Sequence, residues 1–272
     1  MKQFHRDGIN FAYREEGDGV AFVFQHGLGG DAAQTFAFFP EPHPFHLLTL
    51  ECRAHGTTEP LGPEEDLSFN TFADDVIAVM DHAGIDRAIV GGISMGAGVS
   101  LNIALRYPER LRALILSRPA WEDAPLPKSV SIFPWLASLI RAHGAKGGLE
   151  AFRQSAEYQK IIAHSPDNIA ALESQFLNPR AEETVAKLER IPNDAPNCDR
   201  CEWAAIKVPT LVIANELDLI HPISYAQTLA DNIPGAVLRE VTAKSVNIDQ
   251  HTVDVRTEIL AFLTENGVLT HA

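Results

Sequence analysis

The segment GGISMGAG, residues 91–98, decides the fold. It follows the short apolar run Ala88-Ile89-Val90 and precedes VSLNIALRYPERL, residues 99–111, which has the pattern of a helix. Four glycines and an alanine in eight residues are more than an ordinary connection needs. Small residues on both sides of Ser94 permit a sharp turn in which the serine is strained and its hydroxyl is exposed above a sheet. The segment therefore predicts a strand–turn–helix unit that presents Ser94.

Strand and helix patterns alternate on both sides of the middle of the chain. The predicted strands are Ile9–Arg14, Val20–Gln25, Leu47–Cys52, Arg87–Gly91, Leu111–Leu116, Thr210–Ala214 and Ala236–Val241. The predicted helices are Ser68–Ala83, Val99–Tyr107, Ser224–Asn232 and Val253–Leu263. This alternation is typical of an α/β fold with a mostly parallel central sheet and helices on both faces.

Residues 120–202 have a different pattern, because they contain no convincing strand and prolines interrupt their helix-forming segments. We predict that they form a helical cap of three or four helices, inserted into a core made of residues 1–119 and 203–272. An insertion at this point would lie over the carboxyl ends of the strands, which is where open α/β sheets bind ligands.

Composition narrows the class of protein. The chain has 272 residues, 46% hydrophobic and 21% charged, as is ordinary for a globular protein. Its formal net charge of −14 disfavours nucleic acid as a partner. No apolar segment is long enough for a membrane helix, and the first 19 residues lack the apolar region of a signal peptide, so we expect a cytoplasmic protein. Homo-oligomer formation stays open, and Cys198-Asp-Arg-Cys201 is interpreted as incidental.

Ser94 needs two partners if it is a nucleophile. A serine hydroxyl is a poor nucleophile at neutral pH, so a base must accept its proton and a carboxylate must orient that base. Asp218 lies in the loop after the predicted strand 210–214, at the expected place for the carboxylate. Glu216 is the local competitor, but it is closer to the strand end and is better interpreted as a solvated side chain.

Three histidines follow Asp218 in the chain, namely His221, His251 and His271. His221 is too near Asp218 in sequence to be the obvious partner, and His271 is next to the end of the sequence. His251 begins the last predicted helix and is the favoured base.

A tetrahedral oxyanion needs two N–H donors. The helix that follows Ser94 makes the N–H of Met95 one candidate. The turn His26-Gly27-Leu28-Gly29-Gly30 follows a predicted strand and offers the N–H of Leu28 as the second. His26 itself, like His55, is interpreted as a structural hydrogen-bonding residue.

Together these segments resemble the α/β-hydrolase superfamily over nearly the whole chain. The residues that carry the resemblance are His26-Gly27, Cys52 to Gly56, Gly92 to Gly96, Tyr107 to Arg110, Val208 to Thr210, Asp218 with Pro222, and His251. The Ser94 turn and the insertion are most similar to small-molecule esterases and the 3-oxoadipate enol-lactonase group. C–C bond hydrolases and cofactor-free haloperoxidases (perhydrolases) are also similar. The resemblance implies the α/β-hydrolase fold, with Ser94 as nucleophile, Asp218 as acid, His251 as base, and Leu28 and Met95 at the oxyanion hole.

Three positions and one segment depart from the family pattern. Ala54, Asn215 and Ala97 stand where glycine is common, and the segment 244–250 before His251 lacks the glycine that often precedes the base. None of these changes removes a catalytic group, but the last bears directly on the choice of base.

The expected activity is hydrolysis of a small, largely apolar carboxylic ester or lactone through an acyl-enzyme, with no metal and no organic cofactor. Trp121, Phe133 and Trp135 are candidates for lining the substrate pocket. Two other classes stay open: a cofactor-free oxygenase or perhydrolase on the same fold, and a non-catalytic receptor for a small-molecule ligand.

Overall fold

One mixed sheet forms the centre of the computed structural model, which describes residues 1–269. Its eight strands are β1 (Lys2–Arg6), β2 (Ile9–Glu16), β3 (Val20–Gln25), β4 (Phe45–Leu50), β5 (Ala88–Ile93), β6 (Leu111–Ser117), β7 (Thr210–Ala214) and β8 (Val237–Glu240). They are arranged in the order β1-β2-β4-β3-β5-β6-β7-β8. The two pairings made by β2 are antiparallel, and all the others are parallel. The predicted mostly parallel α/β sheet is confirmed.

Helices cover both faces of the sheet. Outside the region between β6 and β7 they are α1 (Ala32–Phe36), α2 (Phe69–His82), α3 (Met95–Arg106), α8 (Ile223–Asn232) and α9 (Ile248–Glu265). Apolar residues of α1 and α9 pack with Phe22, Phe24 and Ile213 on one face. Those of α2, α3 and α8 pack on the other, where a larger apolar cluster continues into the region after β6. The sheet is thus buried on both sides, as expected for parallel strands.

The segment between β6 and β7 contains no strand within residues 118–209. Its helices are α4 (Ile132–Arg153), α5 (Ala156–His164), α6 (Pro166–Leu177) and α7 (Lys187–Arg190). Gly144, with φ of 68°, interrupts the helical backbone inside α4. The segment has apolar contacts of its own, such as the stacked rings of Phe152 and Phe176 at 5.6 Å. That residues 120–202 form a cap separate from the core stays a prediction.

Several elements differ from the sequence-based expectation: β1 and the short helix α1 are additional, and α3 and α9 begin earlier, at Met95 and Ile248. The edge strand β1 was not expected, because its side chains are largely exposed and lack a clear apolar alternation. Helix α9 begins at Ile248 rather than at Val253, because the side chain of Asn247 accepts a hydrogen bond from the N–H of Gln250 and caps a polar first turn. His251 is therefore the fourth residue of the helix. Within residues 1–269, no helix is both long enough and apolar enough to cross a membrane.

Candidate active site

Ser94 occupies a strained turn between β5 and α3. Its φ of 56° and ψ of −112° lie outside the regions that side chains ordinarily allow, and it is partly exposed while its neighbours are buried. A Cβ on Gly96 would lie 2.3 Å from the carbonyl oxygen of Gln25, and one on Gly92 would lie 2.5 Å from the backbone of Gly96. Glycine is therefore required on both sides of Ser94, as predicted. The N–H of Ser94 donates to Ser117 O at 3.0 Å, which fixes the turn to the end of β6.

The two predicted oxyanion donors lie on the loops that flank Ser94. Met95 is the first residue of α3, so its N–H has no acceptor within the helix. Leu28 lies in the turn after β3, and its N–H donates to no residue among those described. Gly27, beside it, is close to Ser94, because a Cβ at that position would lie 3.5 Å from the Cβ of Ser94. The region therefore has two uncommitted backbone donors on the segments that flank the serine.

Asp218 lies in the loop after β7 and is buried, whereas its competitor Glu216 is exposed. Its Oδ1 accepts from the N–H groups of Ile220 at 3.2 Å and His221 at 3.0 Å. Its Oδ2 accepts from Arg118 Nε at 2.8 Å and from Arg118 Nη2. Burial acts to raise the pKa of Asp218, but the adjacent His221 ring and the Arg118 guanidinium outweigh it and hold that pKa far below its ordinary value.

The imidazole next to Asp218 is that of His221. Nδ1 of His221 lies 3.0 Å from each oxygen of the carboxylate. Its Nε2 is buried without a hydrogen-bond partner among the described residues. The sequence disfavours this histidine as the partner of Asp218, because the two are only three residues apart. The turn of the loop, in which Oδ1 caps two following N–H groups, is what brings the ring back over the carboxylate.

His251 has a different partner. Its Nδ1 lies 2.8 Å from the carbonyl oxygen of Thr242, and its Nε2 is buried without a partner among residues 1–269. No hydrogen bond joins His251 to Asp218 in the described part of the chain, although the carboxylate is near enough to act on its pKa. Burial, with Arg118 and Lys244 nearby, lowers the pKa of His251 to about 4. The structure thus places Ser94, Asp218 and His251 beyond the carboxyl ends of the parallel strands, without hydrogen bonds that join them to one another.

Three contributors to the site were not singled out from the sequence. Arg118 directly follows β6 at the same sheet edge as Ser94. Asn168, in the first turn of α6, donates to Asp218 Oδ1 at 3.1 Å and accepts from the N–H of Leu219 at 2.9 Å. Lys244 is partly buried, and this burial lowers its pKa to about 8. Arg118 was the detectable one, because a charged residue directly after a buried parallel strand is a functional signal in this class of fold.

Of the three predicted pocket residues, one lines a cavity. A cavity of about 560 Å³ lies between α4, α5 and α6 and the loop that follows Asp218. Trp135 is in its wall, which does not include Ser94. The other apolar residues of the wall are Ile132, Ile161, Leu172, Leu219, Ile220 and Pro222, and its charged residues are Lys128, Glu157 and Lys160. Trp121 and Phe133 are buried in the apolar cluster, where Trp121 packs edge-on against Phe69 at 5.2 Å.

Several known proteins that are similar to this chain carry hydrolase names. The family model described as alpha/beta hydrolase fold matches residues 20–252. The 3-oxoadipate enol-lactonase 2 of Acinetobacter baylyi is 26% identical over 251 residues, 89% of this chain and 88% of its own. A protein of Azorhizobium caulinodans named as the carbamate hydrolase RutD is 28% identical over 270 residues, 96% of this chain and 97% of its own.

A solved structure agrees with the sequence comparisons. The enol-lactonase of Burkholderia xenovorans superposes with a TM-score of 0.74 at 25% identity, covering 97% of this chain and 100% of its own. With the family pattern matched over most of the sequence, the chain belongs to the α/β-hydrolase family.

Proposed function

We propose that this α/β hydrolase uses Ser94 to cleave a small, largely apolar carboxylic ester or lactone through an acyl-enzyme. The observation that carries the proposal is the backbone of Ser94. A residue held at φ of 56° between a buried strand and a helix is strained, and such strain persists where the geometry serves a reaction. The turn presents the hydroxyl at the N-terminus of α3, where backbone N–H groups favour negative charge.

In the proposed reaction, Ser94 Oγ attacks the carbonyl carbon while a buried histidine accepts its proton. The N–H groups of Leu28 and Met95 stabilise the oxyanion, and loss of one such donor typically costs on the order of 10²–10³ in turnover. The leaving group departs with the proton from the histidine, and water then releases the acyl group by the same steps. The sequence favours His251 as the base and Asp218 as the acid. No step requires a metal or an organic cofactor.

A small substrate is supported by the cavity beside the Asp218 loop. Its volume of about 560 Å³ suits a compact group rather than a polymer, and aliphatic and aromatic side chains outnumber the polar ones in its wall. The relatives support the same class, since two of them carry enol-lactonase names.

A carbamate is the second candidate substrate. A relative that matches almost the whole chain is named a carbamate hydrolase. A carbamate has the same electrophilic carbonyl carbon as an ester, so the same nucleophile and oxyanion donors would serve it.

The testing experiment treats wild-type protein and Ser94→Ala with a small fluorophosphonate and measures intact mass. One adduct on wild type and none on the variant would support the proposal, and a panel of esters, lactones and carbamates would then rank the substrates. A folded wild type that gains no adduct, or a Ser94→Ala variant that still gains one, would overturn the assignment of Ser94. Ser100→Ala is the matched control, because Ser100 is buried in the same helix and its hydroxyl donates to Gly96 O at 2.8 Å.

A further inference from the structure

We infer that His221, rather than His251, is the imidazole that Asp218 orients and is the general base of the site. The inference rests on the proposed function, since a base is needed only if Ser94 is a nucleophile. It changes which histidine performs the proton transfer.

The geometry of His221 and Asp218 defines a base oriented by an acid. A carboxylate can only accept, so at neutral pH the His221 nitrogen 3.0 Å from both oxygens, Nδ1, carries the proton and donates it. The lone pair is then on Nε2, which is buried and has no partner among the described residues. The backbone N–H of His221 also donates to Oδ1 at 3.0 Å, so main chain and ring are attached to one carboxylate. This is the tautomer that a serine nucleophile requires of its base.

His251 lacks the charged partner. Its Nδ1 must also donate, because the carbonyl oxygen of Thr242, 2.8 Å away, can only accept. A neutral carbonyl stabilises an imidazolium less than a carboxylate does. The ring also lies beside Phe38, with centroids 6.3 Å apart in an edge-on arrangement. His251 therefore suits a structural role that fastens the start of α9 to the segment after β8.

The two rings differ in how strongly Asp218 acts on them. Burial lowers the pKa of His221, with Arg118 and Lys244 acting in the same direction, and direct contact with Asp218 is the influence that opposes this lowering. The pKa of His251 falls to about 4, with Asp218 only the last of its influences. A general base works best when its pKa is near the working pH. An imidazole in direct contact with a carboxylate is the better proton acceptor.

Proton transfer balances with this assignment. As Ser94 Oγ bonds to the carbonyl carbon, its proton passes to Nε2 of His221 and the carbonyl π electrons move to the oxyanion. When the oxyanion collapses, the bond to the leaving group breaks and that group takes the proton from Nε2. A water molecule then gives one proton to Nε2 as its oxygen attacks the acyl carbon, and Ser94 Oγ recovers that proton on release. Asp218 stays ionised and pairs with the imidazolium.

The experiment compares two matched variants, His221→Gln and His251→Gln, by the rate at which the fluorophosphonate modifies Ser94. Glutamine retains an N–H donor for either partner but cannot accept the serine proton at neutral pH. We expect His221→Gln to slow the modification by at least ~100-fold, the usual contribution of a general base. We expect His251→Gln to slow the modification less than His221→Gln does, since the His251 ring contacts a backbone carbonyl and not the carboxylate. Equal slowing in both variants, the reverse order, or no effect of His221→Gln would overturn the inference.

Two further measurements guard against a variant that misfolds. The first is rescue of His221→Ala by added imidazole, which restores the rate if the missing group is a base and does not if the ring only packs. The second is NMR of the imidazole nitrogens of isotope-labelled protein with and without Asp218→Asn. If the Nδ1 signal of His221 moves and that of His251 does not, the pairing is supported.

If instead the Nδ1 signal of His251 moves and that of His221 does not, the inference is overturned. This NMR outcome is independent of Ser94. A wild type that gains no adduct would remove the proposed function, while the pairing would still be decided.

Discussion

Arg118 and Asp218 form a buried ion pair between residues that are 100 positions apart, with Arg118 Nε 2.8 Å from Asp218 Oδ2. One follows β6 and the other follows β7, which are neighbours in the sheet. The guanidinium also lies 3.6 Å from Asp167 Oδ2, so one cation serves two carboxylates at the edge of the site.

The first prediction concerns this ion pair. Arg118→Met should lower the free energy of unfolding by about 3–5 kcal/mol, because it leaves a buried carboxylate without its cation. Urea unfolding at neutral pH measures the loss. The control is Arg141→Met, which removes a partly exposed ion pair with Glu189, and we expect a loss below about 1 kcal/mol. Equal losses in the two variants would show that the Arg118 pair contributes no more than a surface contact.

The second prediction concerns pH. The pKa of His251 is about 4 in the fold and 6.5 in the unfolded reference, so between these values the unfolded chain binds more protons than the folded one. The stability associated with neutral His251 is therefore complete above about pH 6.5 and is lost as pH falls to about 4. The loss is on the order of 3 kcal/mol. His251→Gln should make the dependence of unfolding free energy on pH shallower across this window. An unchanged slope in urea titrations would contradict the prediction.

The third prediction concerns the contact between α6 and the Asp218 loop. The Oδ1 atom of Asn168 accepts hydrogen bonds from the N–H groups of Leu219 and Ile220, and its Nδ2 atom donates to Asp218. Asn168→Ala should cost about 1–3 kcal/mol of stability, because buried polar groups lose a partner. It should also lower kcat by about tenfold or more, since the carboxylate loses its orientation. Ser174→Ala, at an exposed position of the same helix, is the control for both measurements. A kcat equal to that of the control would contradict the proposed orienting role.

How much of the fold and of the candidate site the sequence predicts depends on how far apart in the chain the interacting residues lie. The Ser94 turn was predictable because its requirement for small residues is local and is met by the neighbouring Gly92 and Gly96. The position of Asp218 followed from the strand before it. The pairing of Asp218 with His221 did not, because it depends on a loop turn that folds the His221 ring back onto the Asp218 carboxylate.

Contacts between distant segments were the least predictable part. No local sequence pattern predicts that Arg118 or Asn168 contacts Asp218, because Arg118 follows β6 and Asn168 lies in α6. The start of α9 was missed for a local reason, because a polar first turn has no apolar periodicity and its cap is a single asparagine.

The last prediction tests the cavity beside Asp218 as the place of the substrate's apolar group. Ile132 lies in its wall at the start of α4, so Ile132→Trp should fill part of its volume of about 560 Å³. If the acyl chain of the substrate occupies this space, kcat/KM for a hexanoyl ester should fall on the order of tenfold relative to that for the acetyl ester. Ser138→Trp, at an exposed position of the same helix, adds the same side chain away from the cavity and should leave that ratio unchanged. A ratio that is equal in both variants would mean that the acyl chain binds elsewhere, because filling a cavity can discriminate between substrates only if one of them enters it.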